Sequence, residues 1–247
     1  MTILAMGRYR ALEAAGPQDL DRALALRAES FPTDRAGADR HDARCRHVLV
    51  EDVASGAAVA TFRLMVLPDG AALGRSYSAG FYDLSPLADR TAPLVELGRF
   101  CTQPDQRDAN ILRVAWAALA RIVDAEGAAM LFGCASFRGT DATAHAEAFA
   151  LLEDDHVAPE SWRPRPKAPR TVPLREVRAA SPDHRRAMAA LPPLLRSYLG
   201  LGGRVSDHAV IDAEMGTIHV FTGVEVGAIP PARARALRAV AEQGAGA

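Results

Sequence analysis

"LVELGRFCTQPDQRDANILRVAW", residues 94–116, begins as an apolar strand, inserts Glu96 and Arg99 three residues apart, and passes through a polar turn into a helix. Side chains alternate along a regular strand, so Glu96 and Arg99 would point to opposite faces. Gly98 stands between them. A glycine inside a strand often marks a bulge, an extra residue that re-aims the side chains beyond it. A bulge here turns both charges to one side and frees backbone N–H groups suited to a carbonyl oxygen that gains negative charge during a reaction.

Working outward, the same anomaly recurs. A helix expected over about 17–30, opened by Pro17, places Leu20, Leu24, Arg27 and Phe31 on one face by their i, i+4, i+7 and i+11 spacing, so Arg27 takes an apolar position. "CRHVLVED" (45–52) and "AAVATFRLMVL" (57–67), joined by a turn at Ser55-Gly56, read as a β-hairpin whose second strand puts Val59, Thr61, Arg63 and Met65 on one face. Asp39 and Asp42 lie in the polar loop before it. Stripping one partner from a buried charge pair costs roughly 3–5 kcal/mol, so these six residues are expected to meet one another or a charged ligand. A structural ion-pair network and a polar substrate pocket are equally compatible with that expectation.

The remaining chain supplies the frame. A first strand is expected over 8–14, and residues 76–93 read as loop with a short strand hidden in them. A helix from Asn110 to about Glu126 turns Leu112, Ala115, Trp116, Leu119, Ile122 and Val123 inward and Arg113, Arg121 and Asp124 outward, ending at Gly127. "AAMLFGCASF" (128–137) reads as a strand covered on both faces, and "DATAHAEAFALLED" (141–154) as a helix. The order β-α-β-β-β-α-β-α implies a mixed sheet with packed helices, α/β or α+β. Residues 158–173, with five prolines and four basic residues, form an extended loop. Beyond it come a helical segment around 183–200, the turn "GLGG" (200–203), strands near 204–212 and 217–226, and a helix from about 230.

Composition sets outer bounds. A chain of 247 residues that is 49% hydrophobic can bury a substantial core, and a net charge of −1 offers no global case for nucleic-acid binding. Cys45, Cys101 and Cys134 form no CxxC pair or even-numbered framework, which fits a reducing compartment. Neither an export signal nor an uninterrupted apolar run of membrane length is visible. His41, Cys45 and His47 lack a convincing fourth ligand for zinc, Ser136 has no GxSxG elbow, and "GLGG" follows a helix, where glycines cap it. Arg163, Arg165, Lys167 and Arg170 near Trp162 form a local basic run: either a solvated loop or a contact with an acidic protein or an anionic membrane.

Several segments in this order carry a resemblance: RxxxF within "LRAESF", "DRHDARCRHVLV", "ATFRL", "GFYDLSPL", "VELGRFCTQPDQR", "LFGCASFRGTD", "LPPLLRSYLGLGG" and "VIDAEMGTIHVF". Together they resemble the acyl-carrier-protein-dependent N-acyltransferases that make lyso-ornithine lipid, GNAT-like relatives of the acyl-homoserine-lactone synthases. The lactone synthases share the positions of Arg27, Asp39, Asp42, Arg63, Glu96 and Arg99, but Gly37 stands where they carry a further acidic residue. The resemblance implies an α+β, GNAT-like domain spanning 1–247, with a mixed, mostly antiparallel sheet, a bulged central strand and helices on both faces. It also implies transfer of a fatty acyl group, typically 3-hydroxyacyl, from acyl carrier protein to the α-amine of ornithine. No cofactor is bound permanently; the acyl carrier protein thioester is a co-substrate. Glu96 serves as general base. Asp39 and Asp42 hold or shape the cationic amino-acid site, Arg63 and Arg99 pair with the substrate carboxylate or brace those acids, and Arg27 braces the loop. Backbone N–H groups of Phe100, Cys101 and Thr102 polarise the thioester carbonyl. The turn "TQPDQRDANI" lacks the glycine-rich form that binds coenzyme A pyrophosphate, which favours a carrier phosphopantetheine, with Arg107 and Arg113 as contacts. The implied location is cytoplasmic, with peripheral contact at the inner membrane. A GNAT-type transferase using another amine or acyl-CoA, and a non-catalytic binding module, are the competing readings.

Overall fold

Largely apolar runs at 46–52 and 58–67, buried on both faces, and a Ser-Gly turn produce a hairpin in the first half of the chain. The computed structural model describes residues 1–31, 37–106 and 108–243. In chain order the elements are β1 (Thr2–Met6), β2 (Tyr9–Glu13), α1 (Pro17–Ser30), β3 (Arg46–Asp52), β4 (Ala58–Leu67), β5 (Tyr82–Asp83), β6 (Leu94–Thr102), α2 (Ala109–Ala125) and β7 (Met130–Arg138). They continue with α3 (Ala146–Asp155), β8 (Arg165–Pro166), β9 (Thr171–Pro173), α4 (Leu174–Val177), α5 (His184–Ala190), α6 (Pro193–Gly200), β10 (Arg204–Asp212), β11 (Thr217–Glu225) and α7 (Pro231–Gln243).

The chain groups into two compact units. One comprises Met1–Val66, Val95–Ala128 and the stretch from Pro230 onward. Its strands run in the order β1-β2-β3-β4-β6, with antiparallel pairing from β1 to β4. The apolar side of α2 rests on β1, β2 and β3, α7 rides on α2, and α1 packs on β3. The other unit comprises Leu67–Leu94 and Ala129–Ile229, with strands in the order β7-β11-β10-β9, paired antiparallel, and one parallel bridge between Val157 and Val205. Phe137, Ala209, Ile218 and Val220 on one face of this sheet share a core with Phe149 of α3 and Leu195 of α6.

Several elements depart from the sequence reading. β1 precedes the strand expected over 8–14, which is β2. The helical segment expected around 183–200 is two helices, because Pro192 and Pro193 follow Leu191 and proline has no N–H to continue the ladder; a further single-turn helix, α4, precedes them. On α1 the buried residues are Ala23, Leu26 and Arg27, while Leu20, Leu24 and Phe31 are half-buried. The Pro-rich stretch 158–173 contains β8 and β9 and is pinned by Trp162, 3% exposed, whose indole N–H donates to Glu225 at 3.2 Å. The short strand hidden in 76–93 is β5, which pairs with β8.

The "GLGG" turn caps α6: the Gly202 N–H bonds the Leu199 carbonyl at 3.0 Å and the Gly203 N–H bonds the Tyr198 carbonyl at 2.9 Å. A Cβ on Gly203 would stand 2.6 Å from the Tyr198 carbonyl oxygen, whereas one on Gly200 meets nothing within 4 Å. Gly203→Ala should therefore lower the unfolding free energy by about 2 kcal/mol in urea denaturation, and Gly200→Ala should leave it nearly unchanged.

Candidate active site

The β6 strand runs unbroken from Leu94 to Thr102, but its backbone is irregular where the sequence places its conflict. Arg99 has φ +52°, the left-handed region that few non-glycine residues occupy, at a cost of about 1–3 kcal/mol that the surroundings must offset. Its Nη2 donates to Asp39 Oδ2 at 2.9 Å. Gly98 lies against the neighbouring strand's arginine: a Cβ there would meet Arg63 Nε at 3.4 Å, an ordinary van der Waals contact, so space alone does not require the glycine.

Arg63, on β4 in register with His47 of β3, donates through Nη1 to Asp39 at 2.6 Å and to Asp42 at 2.5 Å. Arg27, 1% exposed on α1, donates to Asp42 Oδ1 at 2.8 Å and to the Gly37 carbonyl at 2.9 Å. The loop that carries the two acids is folded on itself: the Asp39 N–H donates to Asp42 Oδ2 at 2.8 Å and the His41 N–H to Asp39 Oδ1 at 2.9 Å. The result is a continuous chain, Arg27–Asp42–Arg63–Asp39–Arg99, joining α1, the loop, β4 and β6.

Glu96, buried on β6, belongs to the same neighbourhood, for the Cys45 thiol lies in the fields of Arg63, Glu96, Asp42 and Asp39. Burial pushes that thiol up to about 11, which keeps it protonated and poorly nucleophilic at neutral pH. The His47 Nε2–H donates to the Asp42 carbonyl at 3.1 Å. The sequence-expected residues Arg27, Asp39, Asp42, Arg63, Glu96 and Arg99 thus come together in one unit. Both acids are engaged by the chain's own arginines.

Beyond Arg99, Phe100 stacks on Phe62 at 5.6 Å, Cys101 is buried, and the Thr102 carbonyl accepts from Ser30 Oγ at 3.0 Å. Arg113, the fifth residue of α2, is exposed, while Arg107 lies outside the described residues. The start of α2 is capped by Asp108, which accepts from the Asn110 N–H at 2.9 Å and from the Tyr9 hydroxyl at 2.9 Å. A carboxylate already satisfies part of that helix end, a feature the sequence reading missed although Asp before Ala-Asn is a common cap.

Burial pushes the Asp42 carboxyl up, but the Asp39 N–H and the Arg27 and Arg63 guanidiniums outweigh it, so its pKa falls below the ordinary carboxylate value. Asp39 is held low in the same way, mainly by Arg63. Depressed acids stabilise the fold above the unfolded value of about 4, and that contribution is lost as pH falls through their native values. Asp42→Asn, which leaves Arg27 and Arg63 short of a charge partner, should cost about 3 kcal/mol at pH 7 in chemical denaturation, and the difference from the parent should shrink below about pH 4. A pH-independent difference would contradict the ion-pair assignment.

Known proteins supply the remaining context. Residues 22–117, which contain all six charged residues, match the Acetyltransferase (GNAT) domain. An L-ornithine N(alpha)-acyltransferase of Rhodobacter capsulatus is 37% identical over 193 residues, covering 76% of this chain and 74% of its own length. One of Rhizobium meliloti is 30% identical over 248 residues, covering 91% and 83%. Among solved structures, FeeM, an N-acyl amino acid synthase from uncultured soil microbes, aligns over 96% of this chain and 99% of its own at 10% identity with a TM-score of 0.46. The α+β arrangement around the arginine–aspartate chain is thus a GNAT fold, and the chain belongs to the L-ornithine N(alpha)-acyltransferase family.

Proposed function

We propose that the protein moves a fatty acyl group from the phosphopantetheine thioester of acyl carrier protein to the α-amine of ornithine, giving lyso-ornithine lipid. The observation that carries this reading is the buried carboxylate of Glu96 on the strand where a left-handed Arg99 pairs with Asp39. An amine is protonated at neutral pH and must lose a proton to become a nucleophile; Glu96 takes it, directly or through water. The freed nitrogen attacks the thioester carbon, the C–N bond forms, the C–S bond breaks, and the thiolate leaves to be protonated. Backbone N–H groups of Phe100, Cys101 and Thr102 stabilise the oxyanion that forms between those two events.

The charge chain has an inner and an outer end. The Arg27 and Asp42 side chains are 1% and 6% exposed, whereas those of Arg99 and Asp39 are 10% and 21% exposed. The inner end holds the loop to α1. At the outer end Arg99 takes the amino-acid carboxylate and Asp39 the side-chain ammonium, with Arg63 and Asp42 bracing both. Three arginines against two aspartates leave a single positive excess, which the Glu96 carboxylate balances.

The donor approaches α2, where Arg107 and Arg113 meet the carrier's phosphate and acidic surface. The relatives' name specifies the acceptor amine; the carrier as donor rests on the turn at 103–110, which lacks the glycines of a coenzyme A loop. Among the described residues no helix is long and apolar enough to cross a membrane. The reading sets the reaction in the cytoplasm, with peripheral contact at the inner membrane through the basic run near Trp162.

Glu96→Gln should cut kcat by about 10²–10⁴-fold with circular dichroism unchanged; a folded variant of equal activity would remove Glu96 as base. Arg113→Glu should raise KM for the acyl carrier by about tenfold and leave KM for ornithine alone. Equal effects on both substrates would move the carrier contact elsewhere.

A further inference from the structure

The helix end that follows β6 is closed by the chain itself. Helix N-termini attract phosphates because their first N–H groups lack partners within the helix and the helix dipole places partial positive charge there. At α2 much of that attraction is already used. Asp108 Oδ1 accepts from the Asn110 N–H at 2.9 Å and from the Asn110 side-chain amide at 2.9 Å, and the Asp108 carbonyl takes the Ile111 N–H at 3.1 Å. In the turn before it, the Gln103 N–H donates to the Val59 carbonyl at 2.9 Å, Pro104 has no N–H, and the Gln106 N–H donates to the Gln103 carbonyl at 3.2 Å. Asp105 stands at φ +69°, so a second carboxylate takes a left-handed position that favours glycine.

The carboxylate is also held in place. Asp108 Oδ2 accepts from the Tyr9 hydroxyl at 2.9 Å, within the same compact unit. Tyr9 is 2% exposed on β2, and burial together with the neighbouring carboxylate raises its phenol above the ordinary value, so at neutral pH it keeps its hydrogen and donates. The Asn110 N–H and the Tyr9 hydroxyl in turn hold the Asp108 carboxyl below the ordinary carboxylate value, which leaves it ionised. Arg8, whose guanidinium lies 5.7 Å from the Tyr9 ring, gives its Nε to Asp52 at 2.6 Å. Each Asp108 oxygen therefore has its own donor, one on α2 and one on β2. Swinging the carboxylate aside would take from the buried phenol the acceptor it now uses.

A phosphate arriving at this helix end meets a fixed negative charge, and the repulsion grows with the charge it brings. Coenzyme A presents a diphosphate. The phosphopantetheine of a carrier ends in a singly charged phosphodiester, with protein surface beyond it to supply contacts elsewhere. We propose that Asp108, fastened by Tyr9, shuts the N-terminus of α2 against a diphosphate and is the residue through which coenzyme A thioesters are rejected. This deepens the acyl-transfer reading above and rests on it.

The test measures binding and turnover side by side. Coenzyme A is titrated calorimetrically into the parent, Asp108→Asn and Tyr9→Phe. Asparagine caps a helix as well as aspartate, so Asp108→Asn removes the charge and keeps the helix start; Asp108→Ser, a second neutral cap, serves if the Asn variant does not fold. Asp108→Asn should bind coenzyme A about tenfold tighter than the parent, the scale of one close charge at a helix end. That difference should shrink between about 0.05 M and about 0.5 M salt, which the loss of a cap alone would not produce. Tyr9→Phe, which keeps the ring and releases the carboxylate, should give a smaller gain. With ornithine as acceptor, kcat/KM for acyl-coenzyme A relative to acyl carrier protein should rise by a similar factor in Asp108→Asn. Equal affinity in the parent and a folded neutral-cap variant, or a gain indifferent to salt, overturns the proposal while leaving ornithine transfer standing. If neither donor acylates ornithine, the transfer reading fails separately, and the titration still decides whether Asp108 repels the diphosphate.

Discussion

Two carboxylates on one short loop hold three arginines from α1, β4 and β6, and the geometry of the candidate site depends on that arrangement. Arg27 is almost fully buried, and burial lowers its pKa against the opposing pull of Asp42. Ions this deep are tolerated only when hydrogen bonds and opposite charges meet nearly all their groups. Arg63 lies between both acids, and its pKa is raised despite its burial, because Asp39 and Asp42 together outweigh the loss of solvent. The same contacts hold the left-handed Arg99, so its unusual backbone and the ion-pair chain support one another. Replacing the chain with apolar side chains could yield an equally stable protein; what it supplies is a fixed array of charges beside Glu96.

Much of this was legible from parity and spacing. Glu96 and Arg99 could not share a face on a regular strand, and the irregularity lies next to the expected Gly98, in the left-handed backbone of Arg99. Arg27 and Arg63 stood at apolar positions of a helix and a strand, so their burial with Asp39 and Asp42 followed from the cost of unpaired charge. The choice between an ion-pair network and a pocket could not be made from spacing. The structure shows the acids engaged by arginines, with the outer end of the chain the more open.

Other features had no local signal. β1 is a five-residue edge strand whose sequence, TILAM, alternates too briefly to stand out. The split between α5 and α6 was signalled by Pro192 and Pro193, but the apolar spacing on either side masked it. Trp162 looked like part of a solvated basic loop; only the fold shows it buried beside Gly223, where an added Cβ would approach the indole to 3.2 Å. Tyr82 lies 5.4 Å from His208 and 5.6 Å from His219, contacts between residues so far apart in the chain that no local spacing signals them.

A GNAT fold, a buried carboxylate beside an arginine–aspartate chain, and relatives named for acylating ornithine converge on one reaction, defined by the bond it forms. The direct measurement incubates the purified protein with 3-hydroxyacyl carrier protein and a panel of amino acids, then identifies products by mass and fragmentation. The account predicts one principal product, ornithine acylated on its α-nitrogen, formed with release of the carrier thiol. Acylation of a different amine, or of the ornithine side chain, or no consumption of the thioester, would contradict it.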